Sequence, residues 1–456
     1  MEQVDAAIIG CGTAGKPLAV ALADAGFTVA VIEQSKNSYG GACLNTACLP
    51  SKMLVHAGAA EKAKGGDFPT RADRYQTVIK KKNDQTARIR KQIRSLLTNH
   101  PRIELIDGKA SFLDTTHLII HTEQGERRLE ADRTFINTGS VPRIPGIPGA
   151  DGGRVYTSES LLNVEVLPER AIIIGAGYVG VEFASLFADF GVSVTVLQSS
   201  STFLPHEDAD IAAAVHQNLE QRGVRLVLNA QIERIENDVV QSLVFATING
   251  KEERIPGDLV LLATGRRPAT DDLNAEIAGV QRNGRGGIVV DKHLRTTASN
   301  IWAMGDAVGD LQFTYVSYDD YRIVASSILG DGTRTTENRG AVPSCIFTNP
   351  PLARVGMTEQ EARDAGFDVV TSIMRFDNSS KPALLGLQAV MMKGIVDRTT
   401  DRILGIHLYC DNAPEIINLA KVALDESWTA AHMRNALFTH PTLAEELNNL
   451  FSRISS

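Results

Sequence analysis

Residues Ala6-Ala7-Ile8-Ile9-Gly10-Cys11-Gly12-Thr13-Ala14-Gly15 and Ala171-Ile172-Ile173-Ile174-Gly175-Ala176-Gly177-Tyr178-Val179-Gly180 repeat one pattern twice in the same chain. Each is a short apolar run, then three glycines at fixed spacing, then apolar residues at helical spacing: Leu18, Ala19, Leu22 and Ala23 after the first, and a stretch through Phe187 after the second. The pattern predicts strand, tight turn, helix. In such a turn the first glycine reverses the chain, the second lets the backbone approach a pyrophosphate, and the third lets helix pack on strand, while the helix N-terminus supplies amides and partial positive charge. A further strand follows in each unit, Thr28 to Ile32 and Val192 to Leu197, ending at Glu33 and Gln198. From first glycine to that end residue is 23 positions in both units. A lone glycine turn is weak evidence for a ligand; two complete units with equal internal spacing predict two separately bound dinucleotides.

Glu33 is placed to accept hydrogen bonds from a ribose. Gln198, at the matching position, carries no charge that would repel a 2′-phosphate, and Ser199, Ser200 and Ser201 follow as hydrogen-bond donors. No arginine stands nearby in sequence to clamp a phosphate. The balance leans to NADPH and leaves NADH open.

A chain of 456 residues is too long for one hydrophobic core, so about three domains are expected. With 43% hydrophobic and 22% charged residues it belongs among globular proteins rather than disordered or fibrous ones. The net charge of −8 gives no chain-wide basic field, which argues against nucleic acid as a partner. The basic residues Lys80, Lys81, Lys82, Arg88, Arg90, Lys91 and Arg94 read as one solvated face of a long helix. No window approaches the roughly 20 apolar residues of a spanning helix, and Met1 to Gly10 shows no secretory signal, so a cytoplasmic, membrane-free location is expected. In that reducing compartment paired cysteines call for a redox rather than a structural explanation. Cys11, Cys345 and Cys410 are isolated and read as small buried hydrophobes.

Cys43 and Cys48 lie in Gly40-Gly41-Ala42-Cys43-Leu44-Asn45-Thr46-Ala47-Cys48-Leu49-Pro50-Ser51-Lys52. This stretch resembles the active-site motif of the class I pyridine-nucleotide disulfide oxidoreductases, the family of lipoamide dehydrogenase, glutathione reductase and mercuric reductase. Four residues between the cysteines let them bridge across one opening turn of helix, where a helix N-terminus lowers thiol pKa values. Ala47 departs from the family's usual glycine, and its methyl group is expected to shift the helix start slightly.

The resemblance continues along nearly the whole chain. Thr138-Gly139 and Ala263-Thr264-Gly265-Arg266 resemble the turns that close the two dinucleotide folds, and Thr297 to Asp306 resembles the second flavin motif, with Asp306 on the ribityl chain. Phe438 to Glu445 resembles the acid-base loop, in which His440 is oriented by Glu445 and can exchange protons near neutral pH. A helix is expected to open at Pro441. The resemblance implies an α/β protein of two Rossmann-like domains, for FAD and NAD(P), plus a C-terminal α+β dimerisation domain. The expected boundaries are 1–147 for FAD, 148–268 for NAD(P), 269–335 returning to the FAD domain, and 336–456 for the interface. It further implies FAD held by Gly10, Gly12, Gly15, Glu33, Gly41, Thr138, Gly139 and Asp306, and NADPH or NADH held by Gly175, Gly177, Gly180, Gln198 and Gly265, with Tyr178 as an aromatic lid. Lys52 would pair with Glu182 beside the flavin. Hydride would pass from NAD(P)H to FAD and on to the Cys43–Cys48 disulfide, Cys48 against the flavin and Cys43 facing substrate. In a homodimer, His440 and Glu445 would serve the partner's site. No resident metal is expected.

The acceptor is narrowed by absences and by resemblance. The C-terminus, ending Leu450 to Ser456, lacks the second cysteine pair of mercuric reductase and of high-molecular-weight thioredoxin reductases. Phe438 stands where lipoamide dehydrogenase usually has a further histidine. Segments 300–306, 311–317, 319–322 and 438–451 most resemble the bacterial reactive-chlorine-resistance flavoproteins, associated with copper(II) reduction and hypothiocyanous acid reduction, although 374–385 departs from that pattern. The sequence therefore predicts reduction of a small oxidant in oxidative-stress defence, with hypothiocyanous acid first. A dihydrolipoamide dehydrogenase and a low-turnover redox-sensing flavoprotein are the alternatives.

Overall fold

The computed structural model describes residues 2–377 and 380–454; Met1, Asn378, Ser379, Ser455 and Ser456 lie outside the described residues, and with them part of the divergent 374–385 stretch. The Val29–Glu33 strand is buried at all five positions, as expected for a strand inside a parallel sheet covered on both faces. It pairs in parallel with Glu2–Ile9 on one side and Ile103–Asp107 on the other. Glu2–Ile9 in turn pairs with Gly125–Ile136, and antiparallel strands His117–Thr122 and Lys109–Phe112 complete that side of the sheet. The Gly15–Asp24 helix closes tightly on this sheet because a Cβ on Gly15 would lie 2.5 Å from the Gly10 carbonyl oxygen, which only glycine avoids.

The second unit repeats the arrangement. Arg170–Ile174 lies between Ser193–Leu197 and Leu259–Leu262 in a five-stranded parallel sheet, so the order of strands reverses at the glycine turn that follows Ile174. Ligands of open α/β sheets bind at such a reversal, beyond the C-terminal ends of the strands. A three-stranded antiparallel sheet, Ala230–Asn237, Ser242–Ile248 and Lys251–Gly257, packs beside it. The chain then returns: Ile301–Ala303 pairs in parallel with Thr134–Ile136, which carries Gly305 and Asp306 to the ligand edge of the first sheet. Residues from 344 onward form a five-stranded antiparallel sheet with helices Ala413–Asp425, Ala430–Asn435 and Glu446–Ser452.

Three local expectations are corrected. The cysteines do not share one helical turn: Cys43 lies in the Gly41–Asn45 helix, Thr46 and Ala47 break it, and Cys48 begins the Cys48–Lys64 helix. The last helix opens at Glu446 rather than at Pro441, with the intervening residues in turns. On the Phe68–Thr98 helix, Lys80, Lys81, Arg88, Lys91 and Arg94 are exposed, but Lys82 is buried. It follows Tyr75 and Ile79 and precedes Thr86 on the inward stripe, and its ammonium donates to the Leu162 carbonyl and to Asn163.

The C-terminal sheet is held to the second unit by a buried polar joint. The guanidinium of Arg222 pairs with Asp189 and donates to the Ser185 hydroxyl at 2.8 Å and the Asn349 carbonyl at 3.0 Å. Asn349 Nδ2 completes the joint by donating to Asp189 at 3.1 Å. Removing one partner strands the other charge in the interior. Arg222→Met should therefore cost about 3–5 kcal/mol, measured by urea unfolding at fixed protein concentration, and Arg222→Met with Asp189→Leu should recover most of the loss.

Candidate active site

The two glycine turns and the cysteine pair line one cavity of about 1910 Å³. A single small-ligand pocket is roughly 300–1,000 Å³, so the space suits more than one ligand. The first turn is closed from behind by Asn137: a Cβ on Gly10, at φ +105°, would meet the Asn137 carbonyl at 2.3 Å, and Asn137 Nδ2 donates to the Gly10 carbonyl at 3.1 Å. Gly41, at φ +76°, rests on this turn, its Cβ position 2.8 Å from the Gly12 Cα. That close approach brings the Cys43 helix onto the first dinucleotide turn. Gly139, Gly177 and Gly265 instead have no atom within 4 Å of a built Cβ and line the cavity. Thr138 also lines it, and its hydroxyl is buried and without a partner among the described residues. An open glycine cradle and an orphaned hydroxyl are what a bound dinucleotide would fill.

Glu33 and Gln198 occupy equivalent places. Glu33 accepts from the Cys11 amide at 3.0 Å and the Ser35 amide at 3.2 Å, and burial pushes its carboxyl up. Gln198 Oε1 accepts from the Ala176 amide at 2.9 Å, while its Nε2 donates to Ser200 at 2.7 Å. Each ties its strand end to its own glycine turn. Asp306 accepts from the Ser140 hydroxyl at 2.6 Å, and Arg266, paired with Glu159 at 2.9 Å, donates to the same hydroxyl at 2.9 Å.

Both cysteines are thiols here, as are Cys11, Cys345 and Cys410. Donation from the Cys43 thiol holds Cys48 below the ordinary thiol value, and the same interaction pushes Cys43 up. The Thr314 hydroxyl, 3.2 Å from Cys48 Sγ, and the Lys52 ammonium further favour a Cys48 thiolate. Lys52 stands one turn after Cys48 and donates to Glu182 at 2.6 Å; Glu182 stands one turn after Tyr178. The two helices approach closely at Gly58, where a Cβ would lie 3.1 Å from Leu186.

His440 Nδ1 lies 2.9 Å from Glu445, but neither residue lines the cavity of its own chain, and the His440 side chain is 71% exposed. Glu445 is shared with Lys381, at 2.8 Å, and hydrogen bonds from Lys381 and His440 hold its carboxyl down at about 2. Thr314, Ser140, Asn137 and Lys381 were not singled out from sequence. Only Thr314 had a local signal, as the first residue of a helix, Thr314–Leu329. Cys345 is half-buried rather than buried: it packs against the C-terminal core and also lines the active cavity, and burial pushes its thiol up.

Residues 4–320 match the family described as pyridine nucleotide-disulphide oxidoreductase, and residues 342–451 match its dimerisation domain. The chain belongs to this family, an enzyme class of flavoprotein disulfide reductases that use FAD and NAD(P)H. It is 43% identical to the probable pyridine nucleotide-disulfide oxidoreductase RclA of Escherichia coli K12, over the full length of both. It is 34% identical to a mercuric reductase of Bacillus cereus, covering 97% of this chain and 70% of that one, and 32% identical to the dihydrolipoyl dehydrogenase of Bacillus subtilis, covering 97% and 96%. Among solved structures it superposes with TM-score 0.93 on the copper(II) complex of E. coli RclA, an HOCl-induced flavoprotein disulfide reductase, at 43% identity and full coverage of both chains. Among the described residues no helix is long and apolar enough to cross a membrane.

Gly177 and Gly180 separate ligand space from packing. Gly180→Ala places a Cβ 2.0 Å from the Gly175 carbonyl oxygen and should cost about 1–3 kcal/mol in thermal unfolding. Gly177→Ala should leave stability within about 0.5 kcal/mol and raise the KM for NAD(P)H. Removing the Thr314 hydroxyl with Thr314→Val should raise the pH at which the Cys48 thiolate forms by about one unit, followed by the ultraviolet absorbance of the reduced protein.

Proposed function

We propose that this enzyme uses NAD(P)H to reduce a small electrophilic oxidant, hypothiocyanous acid being the best match, through the Cys43–Cys48 pair. The carrying observation is the pair of thiols of opposite character on the wall of the cavity that both glycine turns share. The full-length likeness to an HOCl-induced reductase supports an oxidant as acceptor. Gly10, Gly12, Gly15, Glu33, Gly41, Thr138, Gly139 and Asp306 would hold FAD, and Gly175, Gly177, Gly180, Gln198 and Gly265 the nicotinamide cofactor, NADPH being favoured. When bound, FAD would supply the two-electron chemistry that links NAD(P)H to the disulfide.

The chain's own residues then act in order. Cys48, favoured as thiolate by Thr314 and Lys52, is the better stabilised leaving and resolving group. Cys43 gives its proton to His440 of the partner subunit and attacks the sulfur of hypothiocyanous acid, forming a Cys43 Sγ–SCN bond and displacing hydroxide. His440 of the partner subunit, oriented by its own Glu445, would protonate the hydroxide to water. Cys48 thiolate attacks Cys43 Sγ, the disulfide forms and thiocyanate leaves. Over a cycle, hypothiocyanous acid and NADPH give thiocyanate, water and NADP⁺. The exposure of His440 outside its own cavity supports this division between subunits of a homodimer.

Copper(II) reduction is a second reading, favoured by the copper complex of the E. coli relative and by the thiols Cys43, Cys48 and Cys345 on one cavity wall. Purified flavoprotein should oxidise NADPH rapidly with hypothiocyanous acid, and Cys43→Ser should reduce turnover at least about 1,000-fold while retaining flavin. Turnover with lipoamide alone would move the enzyme to central metabolism; flavin reduction without turnover of any acceptor would favour a sensor.

A further inference from the structure

The chain leaves the Ile301–Ala303 strand for the ligand edge of the first sheet at Gly305. Met304, just before it, still donates to the Ile136 carbonyl of the neighbouring strand at 2.9 Å. Gly305, at φ +64°, opens the tight turn Gly305–Ala307, and its amide donates to a side chain instead, Asp320 Oδ2, at 2.8 Å. The next residue is Asp306, which lines the shared cavity and accepts from the Ser140 hydroxyl.

Asp320 belongs to the Thr314–Leu329 helix, which presses on the same turn: a Cβ on Gly305 would lie 2.7 Å from the Ser317 hydroxyl oxygen. The Asp320 side chain is 4% exposed and does not line the cavity. A carboxylate so buried needs a charge partner. Arg339 supplies it, donating to Asp320 Oδ1 at 2.7 Å. Burial pushes the Asp320 carboxyl up to about 6, and the Gly305 amide and Arg339 oppose that shift. The adjacent Asp319 accepts from Arg334 Nε at 3.0 Å and lies 3.3 Å from Arg339. The two oxygens of Asp320 therefore act separately: one holds the backbone just before Asp306, and the other neutralises a buried cation.

We propose that Asp320 is a positioning residue for the flavin: from behind the cavity wall it fixes the Gly305 peptide, and through it the place of Asp306. The inference rests on the reading that FAD lies at the first glycine turn with Asp306 against it. A side chain that must meet a ligand is held only as firmly as its own backbone, and an ionised acceptor makes a bond to an amide about twice as strong as a neutral one does.

The test separates the backbone bond from the ion pair by removing both charges. Arg339→Met with Asp320→Asn leaves an amide oxygen free to accept from Gly305, whereas Arg339→Met with Asp320→Leu has similar shape and no acceptor. The dissociation constant of FAD, from the fluorescence of flavin released on dilution of each holoenzyme, should be roughly fivefold higher in the leucine variant. In an Asp306→Ala background that difference should vanish. Equal constants, or a difference that persists without Asp306, would overturn the positioning, because an ion pair that merely supports the fold would not distinguish the variants or depend on Asp306. If the leucine variant does not yield flavin-loaded protein, Asp320→Asn alone decides. There Arg339 takes the single amide oxygen through a charge-assisted bond, so FAD should be held less tightly than after Arg339→Met is added; no gain on adding it would overturn the proposal. An Asp306→Ala variant that holds FAD as tightly as wild type would defeat the reading that Asp306 meets the flavin, and the positioning with it.

Discussion

Glu182 is where three parts of the chain meet. One carboxylate oxygen takes the Lys52 ammonium at 2.6 Å, and the other accepts from the Phe347 amide at 2.8 Å, at the start of the C-terminal domain. The Lys52 ammonium also lies 4.6 Å from the centre of the Phe347 ring. A half-buried ion pair adds little net stability, because desolvating the two charges offsets most of their attraction. Its consequence is geometric: it fixes the helix after the cysteines against the helix after the second glycine turn. With the Gly58 contact and the Arg222 joint holding the same interfaces, the thiols and both turns are brought to one cavity.

That arrangement explains why two chemically identical side chains differ. Burial pushes both thiols up, but Cys48 begins a helix, accepts from Cys43 and has Lys52 at hand, whereas Cys43 is the donor of that bond. One thiol is thereby prepared to carry charge and the other to remain protonated until a base takes its proton. In one chain His440 lies outside the cavity that the thiols line, and its glutamate is shared with Lys381. The dimerisation domain carries both residues.

The two glycine turns were legible because part of their requirement is local: Gly15 against the Gly10 carbonyl and Gly180 against the Gly175 carbonyl leave no room for a side chain, and the same spacing recurs in both units. The break between Cys43 and Cys48 was less legible, since the residues from Gly41 onward are individually compatible with a continuous helix. Lys82 was misread for a related reason. Its neighbours in sequence are basic and solvated, and only the partner surface carrying Leu162 and Asn163 makes position 82 an inward one.

By itself the sequence determined two dinucleotide units, the cysteine pair between them and the likeness to one enzyme family, all properties of contiguous residues whose backbone geometry tolerates few alternatives. Tertiary structure alone decided which thiol is stabilised, what holds Gly305 and what shares Glu445. Thr314 lies 266 residues from Cys48, and the Phe347 amide reaches Glu182 from another domain. Such contacts depend on how separately folded sheets are docked, and a hydroxyl or carboxylate in sequence carries no mark of the distant charge it will face once water is excluded between them.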